Sequence, residues 1–565
     1  MQLAPPLQQA PTLVSLTGAS TFSKPHLAKL GREFGADTAW RAASIEMGVA
    51  AAAAASSGAF SVGLVDGMGR TSLAVDRFGI NTLCYRVENG QLRFAARADA
   101  LTDGQAELDP QAIFDYLYFH TIPSPRTIFK DVYRLPPAHY AVFENGKVSV
   151  APYWEPQFAE ATNVRFSDLR AEFLDLLNQA VGDQLDGSKP ACFLSGGTDS
   201  STVAGLIGHI SGRAASTYSI GFHANGYDEM TYARLAAGHF GTLHHEHYLT
   251  PDDLVRSIAT VATHYDQPFG NSSALPTYYC AAMAQADGVK RLLAGDGGDE
   301  LFGGNTRYAR QRVLGWYGVL PAMMRSRLME PTLGSAAARR MPLVRKAASY
   351  VEQARVALPE RLNLYNLLNR LGMERVFAPD FLQMVDPMAA PAQQWQIWQH
   401  ACTESTLQRN LAFDWRYTLA ENDIPKVCGT TDLAGLSVGF PLLDQRLLDF
   451  SLRLPAAFKL KGLSLRWFFK AALRDFLPNA ILTKKKHGFG LPFGVWICQH
   501  SGLRKLATDS LLAFGERGIV RRDFITTLLT RHLQQHPGYY GEMVWLLMVL
   551  EQWLRVHAPN YHAAR

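Results

Sequence analysis

Cysteine is scarce in this sequence. Six cysteines, at 84, 192, 280, 402, 428 and 498, stand among 565 residues, with no Cys-x-x-Cys pair and no metal-ligand spacing. That excludes a disulfide framework and points to reduced, buried thiols in a cytoplasmic protein. Long apolar runs are missing too. Nothing reaches the roughly 18 residues of a membrane span, and the longest stretch, Met543 to Leu550, suits a buried helix. The chain starts Met-Gln-Leu-Ala-Pro-Pro, without a basic segment ahead of an apolar one, so no signal peptide is expected. Excess charge is also lacking. A net charge of +5 over this length gives no support for a nucleic-acid surface, where basic residues cluster. With 47% hydrophobic and 19% charged residues, the composition is that of a globular protein long enough for at least two domains.

What is present is organised around Cys192-Phe-Leu-Ser-Gly-Gly-Thr-Asp-Ser-Ser201. Pro190 to Leu194 reads as a buried strand, Ser195 to Ser200 as a tight turn, and Ser201 to Ile207 as the start of a helix. Two glycines let the backbone turn sharply and bring N–H groups close to a ligand. Hydroxyls and N–H groups at a helix N-terminus favour a polyanion. The loop lacks the Gly-x-x-x-x-Gly-Lys-Ser/Thr pattern of one phosphate-binding class. Ser-Gly-Gly-x-Asp-Ser resembles instead the pyrophosphate loop of ATP pyrophosphatases, in which Asp199 would hold a cation. An ordinary Gly/Ser turn is the plainer alternative.

The flanking chain changes character twice. Residues 1–58 are rich in Ala and Leu and carry little signal, with a low-complexity run at Ala50 to Ala55. From Ala59, short strands alternate with turns such as Asp66-Gly67 and Asn89-Gly90, which predicts an antiparallel, β-rich domain. Pro156 to Asn163 reads as a linker. Beyond about 165, strands at 190–194, 214–222, 244–249 and 290–294 alternate with helices, which predicts a parallel, doubly wound sheet. Ligands bind at the carboxyl ends of such strands, where the first loop and a second, Gly295-Asp-Gly-Gly-Asp-Glu300, both fall. Residues 305–565 read as mostly helical. The expected organisation is 1–155, a linker at 156–165, and 166–565.

In chain order, these motifs resemble the glutamine-dependent asparagine synthetase family. In the first domain they are Val75-Asp-Arg-Phe-Gly-Ile80, Phe94 to Leu101, Leu135-Pro-Pro-Ala-His139 and Tyr153-Trp154. In the second they are Ser195 to Ser200, Ser219-Ile-Gly-Phe222, Tyr227-Asp-Glu229, Phe269 to Tyr278, Gly295 to Gly304, Pro441-Leu-Leu-Asp444 and Lys484-Lys-Lys-His-Gly-Phe489. The resemblance implies an ATP pyrophosphatase-type synthetase domain behind an α+β, N-terminal-nucleophile-like glutaminase domain. It implies that Ser195, Gly196, Gly197 and Ser200 hold the β- and γ-phosphates. Asp199 and Asp299 would bind Mg²⁺ on the pyrophosphate, a hard ion suited to oxygen ligands. Leu194, Ile220 and Gly295 would line the adenine of ATP. Lys486 would stabilise the α-phosphate or a developing oxyanion, and Asp296 stands where the family's synthetases carry Glu. The partners implied are a small-molecule or peptide carboxylate and ammonia or an amine, with a homodimer compatible and neither nucleic acid nor membrane involved.

The first domain departs from the family. The family's glutaminase uses a Cys at position 2, and here position 2 is Gln, with Cys84 the first cysteine. A buried Cys cannot replace an N-terminal nucleophile whose own amine is the base, so glutamine hydrolysis is not expected. At Gly435 to Pro441, Ser437 and Gly439 stand in place of a Glu and an Arg, which reads as two charges lost near the acyl site and a larger or less charged acid. Relatives without a working glutaminase include β-lactam synthetases and lasso-peptide cyclases, so intramolecular amide formation is the alternative reading. An RNA-modifying pyrophosphatase would want a catalytic Cys pair and a basic face. Arg466-Trp-Phe-Phe-Lys470 reads as a core helix with an outer Lys. His244, His245 and His247 split between the faces of a strand, and Tyr227-Asp-Glu229 reads as a helix cap.

Overall fold

The structure, a computed structural model, describes residues 11–104, 107–325, 327, 342–485 and 490–563. The first surprise lies before residue 58. β1 (Pro11–Phe22) runs antiparallel to β2 (Ser56–Asp66), with α1 (Pro25–Phe34) and α2 (Ala36–Ala54) between them. The alanine run is the last turn of α2, and Ala52 and Ala53 are fully buried beside Trp40 and Phe60. Alanine is the best helix former and lets a helix approach a sheet closely, so a run without apparent content is a packing surface.

β3 (Thr71–Val75), β4 (Cys84–Glu88), β5 (Gln91–Ala95), β6 (Tyr133–Arg134), β7 (His139–Glu144) and β8 (Lys147–Pro152) complete this half, with α3 (Pro110–Phe119) before β6. One antiparallel sheet has the order β1-β2-β3-β7-β8, and a second has β5-β4-β6. The Val75 to Ile80 motif is explained by Asp76. Its buried carboxylate accepts backbone N–H bonds from Phe60, Phe78, Ile80 and Asn81 and so ties β2 to the turn after β3.

The second half holds the expected parallel sheet. β9 (Ala191–Phe193), β10 (Ser216–Phe222), β11 (Leu243–Leu249), β12 (Arg291–Leu293) and β13 (Ser437–Gly439) lie in the order β11-β10-β9-β12-β13, every neighbouring pair parallel. The surrounding helices include α4 (Phe166–Gly182), α5 (Thr198–Ser211), α6 (Met230–Phe240), α7 (Pro251–His264) and α8 (Ala274–Ala286). β13 arrives after a long helical excursion, and no sequence pattern marked it. Beneath the loops Phe173 of α4 touches Phe302, Phe450, Phe468 and Phe469, with ring centroids 5.2–5.6 Å apart. The contacts with Phe302, Phe468 and Phe469 are edge-to-face and that with Phe450 is stacked. Such geometries fix rings in one arrangement, and they lock α9 (Gly298–Phe302) against the helix at Trp467–Ala472.

Candidate active site

Two loops meet at the carboxyl ends of β9 and β12. The Ser195 N–H donates to Ser200 Oγ at 3.2 Å, the two hydroxyls lie 3.0 Å apart, and Gly197 N–H donates to Ser195 Oγ at 3.3 Å. α5 begins at Thr198, so its first N–H groups face this turn. Gly196 has φ +68°, and a Cβ there would run into Tyr232 and the Ala233 backbone of α6. Gly196→Ala is therefore expected to cost at least about 1–2 kcal/mol of stability and to open the loop, checked by urea unfolding alongside ATP turnover. A Cβ on Gly295 would sit 2.8 Å from Ser200 N, so the second loop rests directly on the first. Leu194 and Ile220 are buried at adjacent strand ends, with Leu194 N–H bonded to Tyr218 O.

Asp199 and Asp299 converge. Arg466 Nη1 donates to Asp199 Oδ2 at 2.6 Å and to Asp299 Oδ1 at 3.0 Å, while Nη2 bonds Asp199 Oδ1. Thr198 Oγ1 accepts from the same Nη1 at 2.9 Å. Arg466 is only 4% exposed and sits in the left-handed region at φ +54°, a conformation a non-glycine residue adopts at a cost. Burial would lower its proton affinity, but the two carboxylates outweigh that and hold it charged. The reading of 466–470 as a core helix was right for Phe468 and Phe469, both buried, and missed Arg466, which the turn before the helix aims into the site. An arginine beside a buried aromatic run was the available signal.

The arrangement suits a dication. Two carboxylates from different loops already share one positive centre, and their hard oxygens match Mg²⁺. Among the described residues no group of three or more His, Cys, Asp or Glu could hold a metal.

Beside the second loop lies a charge cluster that sequence reading found only in part. Lys426 Nζ is 3.4 Å from Asp296 Oδ1 and 2.9 Å from Asp423 Oδ1. Burial raises the Asp296 carboxyl above the ordinary range despite Lys426. Burial pulls the Lys426 ammonium down, but Asp423 and Asp296 outweigh it. Lys426 was missed because one lysine in Ile424-Pro-Lys-Val427 carries no pattern.

Lys486 lies outside the described residues. Lys484 leads towards it and is held 3.1 Å from Glu229, with its ammonium over the Tyr232 ring that walls Gly196. The expected Tyr227-Asp-Glu229 cap is not formed as such: Glu229 is the N-cap and makes no side-chain cap bond, no acidic residue lies in the first turn, and Asp228, one residue earlier, accepts from Met230 N–H at 3.4 Å. His244, His245 and His247 go to three separate carboxylates, Glu246, Asp287 and Asp253.

One inference from sequence is corrected. Ser437 pairs with Arg291 at the amino end of the sheet and is exposed. A Cβ on Gly439 would strike Gln184 Oε1 and lie 2.9 Å from Arg291 Nη2, not over the Asp296 loop. Gly439 makes room for the Arg291–Gln184 hydrogen bond of 2.6 Å, and the Ser437 hydroxyl donates to Lys290 O at 3.3 Å. The local packing of the two positions does not place them over the Asp296 loop.

A parallel sheet with a Gly-rich loop and paired carboxylates at its carboxyl end, on a chain with the relatives below, places this protein among the ATP-dependent amide-forming ligases. The chain belongs to the asparagine synthase family, whose profile, "Asparagine synthase", matches residues 172–555. A "Glutamine amidotransferase domain" profile matches residues 33–154. The chain is 22% identical over 489 residues to asparagine synthetase [glutamine-hydrolyzing] 1 of Bacillus subtilis, covering 85% of this chain and 74% of that one. It is 29% identical over 255 residues to amidase chyE of Penicillium rubens, covering 41% of this chain and 37% of that one. An NMN synthetase structure from Francisella tularensis aligns with 37% of this chain and 96% of its own at 14% identity, with a TM-score of 0.20, and carries no argument. None of the described helices is long and apolar enough to cross a membrane.

Proposed function

We propose that this ligase activates a carboxylate with ATP and Mg²⁺, releases pyrophosphate, and passes the acyl group to ammonia or an amine that is not produced by glutamine hydrolysis in the same chain. The observation that supports it most is the convergence of Asp199 and Asp299 above the Ser195–Ser200 loop. In this reading the substrate carboxylate oxygen attacks the α-phosphorus and the bond to pyrophosphate breaks. The amine nitrogen then attacks the acyl carbon, AMP departs, and the nitrogen loses a proton. Ser195, Gly196, Gly197 and Ser200 would bind the leaving pyrophosphate, with Arg466 adding positive charge where charge develops. Mg²⁺ held by Asp199 and Asp299 would neutralise charge on that leaving group. Leu194, Ile220 and Gly295 would border the adenine. Asp296, Lys426 and Asp423 would face the acyl carbon and the incoming amine, with Asp296 as proton acceptor.

Cys84, the only cysteine among the described residues of the N-terminal half, supports the nitrogen source in this reading. It is 1% exposed in β4, and burial pushes its thiol up, so it is no nucleophile. The test is pyrophosphate release from ATP-Mg²⁺ with aspartate plus ammonia, aspartate plus glutamine, or neither. Release with ammonia alone supports the reading. Equal release with glutamine overturns the nitrogen source. Silence in all three moves the search to peptides and amino-acid derivatives as the acid.

A further inference from the structure

The N-terminal half has no exposed cysteine among its described residues, yet it reaches into the second half through buried charge. The contact is made on residues Trp415–Asp423, which form a π-helix. π-Helical turns are rare and recur at functional sites. Glu421 of this segment is 2% exposed. It pairs with Arg134 of β6 and with Arg416 at 2.7 Å, and it accepts from Ser124 Oγ at 2.7 Å and Ser124 N–H at 3.1 Å. Tyr417 stacks on Phe119 of α3, ring centroids 5.3 Å apart and the rings nearly parallel. At the other end of the segment Trp415 donates to Glu300 O at 2.9 Å, tying it to the Asp299 loop. The residues directly after Glu421 belong to the site. Asn422 accepts from Asn271 at 2.6 Å, and Asp423 holds Lys426 against Asp296.

We propose that Arg134, Ser124 and Phe119 are positioning residues for the ligase reaction: by gripping Glu421 and Tyr417 they fix the rotation of the π-helical segment and so the placement of Asp423 and Lys426 beside Asp296. The N-terminal half then has a role that needs no nucleophile. The physical reason is rigidity. Rotating the segment would take Glu421 from Arg134 and from the Ser124 hydroxyl and N–H, leaving the buried carboxylate with Arg416 of its own segment alone, and the breaking of a buried pair is penalised. Two residues further along the same helix, Asp423 has no independent freedom. The inference rests on Asp296, Lys426 and Asp423 being part of the reaction site.

The test needs no substrate. Lys426 labelling by formaldehyde and cyanoborohydride is followed by mass spectrometry in the full chain, with Lys459, which is fully buried, as the internal reporter of unfolding. Asp423→Asn is expected to raise Lys426 labelling by about tenfold, because a lost ion-pair partner lowers an amine's pKa by about one unit. Arg134→Gln and the milder Ser124→Ala are expected to raise it as well, with Lys459 still protected, and Arg134→Lys to restore slow labelling. If Asp423→Asn speeds labelling while Arg134→Gln and Ser124→Ala leave it slow, the positioning proposal is wrong and the cluster reading stands. If Asp423→Asn itself has no effect, the Asp296–Lys426–Asp423 reading fails first. If Lys459 becomes labelled together with Lys426 in both interface variants, the contact is merely structural and the proposal is overturned.

Discussion

Asp299→Asn lowers pyrophosphate release from ATP-Mg²⁺ by about 10²–10³-fold or more, the size of effect seen when one preorganised electrostatic partner of a transition state is removed. Asn keeps the shape of Asp and can still accept a hydrogen bond from Arg466, so the fold is expected to survive, checked by an unchanged unfolding midpoint within a few degrees. What is lost is the negative oxygen that would hold the dication. Asp199→Asn is expected to behave alike, and the double variant to be little worse than either single one, because residues that act on one ion are not additive. Near-normal turnover in either variant, measured at saturating ATP and Mg²⁺, would refute the metal assignment.

Arg466→Met is expected to cost about 3–5 kcal/mol of folding stability in metal-free buffer, the range for breaking a buried ion pair. The substitution leaves two carboxylates facing one another without the guanidinium they share. Millimolar Mg²⁺ should return part of that stability by binding the folded state alone, and should do much less for the wild type, whose carboxylates already have a cation. Thermal unfolding with and without MgCl₂ reads both effects. A variant that is destabilised but indifferent to Mg²⁺ would mean the carboxylates are an Arg466 site and no more. Turnover should fall as well if Arg466 meets the phosphates as proposed.

Much of the site was legible because its chemistry is local. Ser195 to Ser200 and Gly295 to Glu300 announce themselves as short Gly-rich turns after apolar strands, each with an acidic residue at the start of the helix that follows. The parallel sheet was legible from alternation of strand and helix. The unread parts are those in which the informative partner is far away in sequence. Arg466 looked like the edge of an aromatic helix until its left-handed turn was seen to point it at Asp199, 267 positions earlier. Lys426 was one lysine in an apolar stretch until Asp296 stood beside it. Gly439 invited a statement about the substrate, and the structure sets it against Arg291 and Gln184, neighbours far away in sequence.

Sequence by itself determined the class of chemistry: a backbone turn that only glycine permits, hydroxyls and N–H groups at a helix start, and paired carboxylates on two loops of one sheet. Those features act over a few residues, so a linear string can carry them. Only the tertiary structure decided which charges meet. It set Arg466 between two carboxylates, assembled Asp296, Lys426 and Asp423, and ran a buried strut from Arg134 to Glu421. Ion pairing depends on distance and on exclusion of water, and neither exists until the chain has closed on itself.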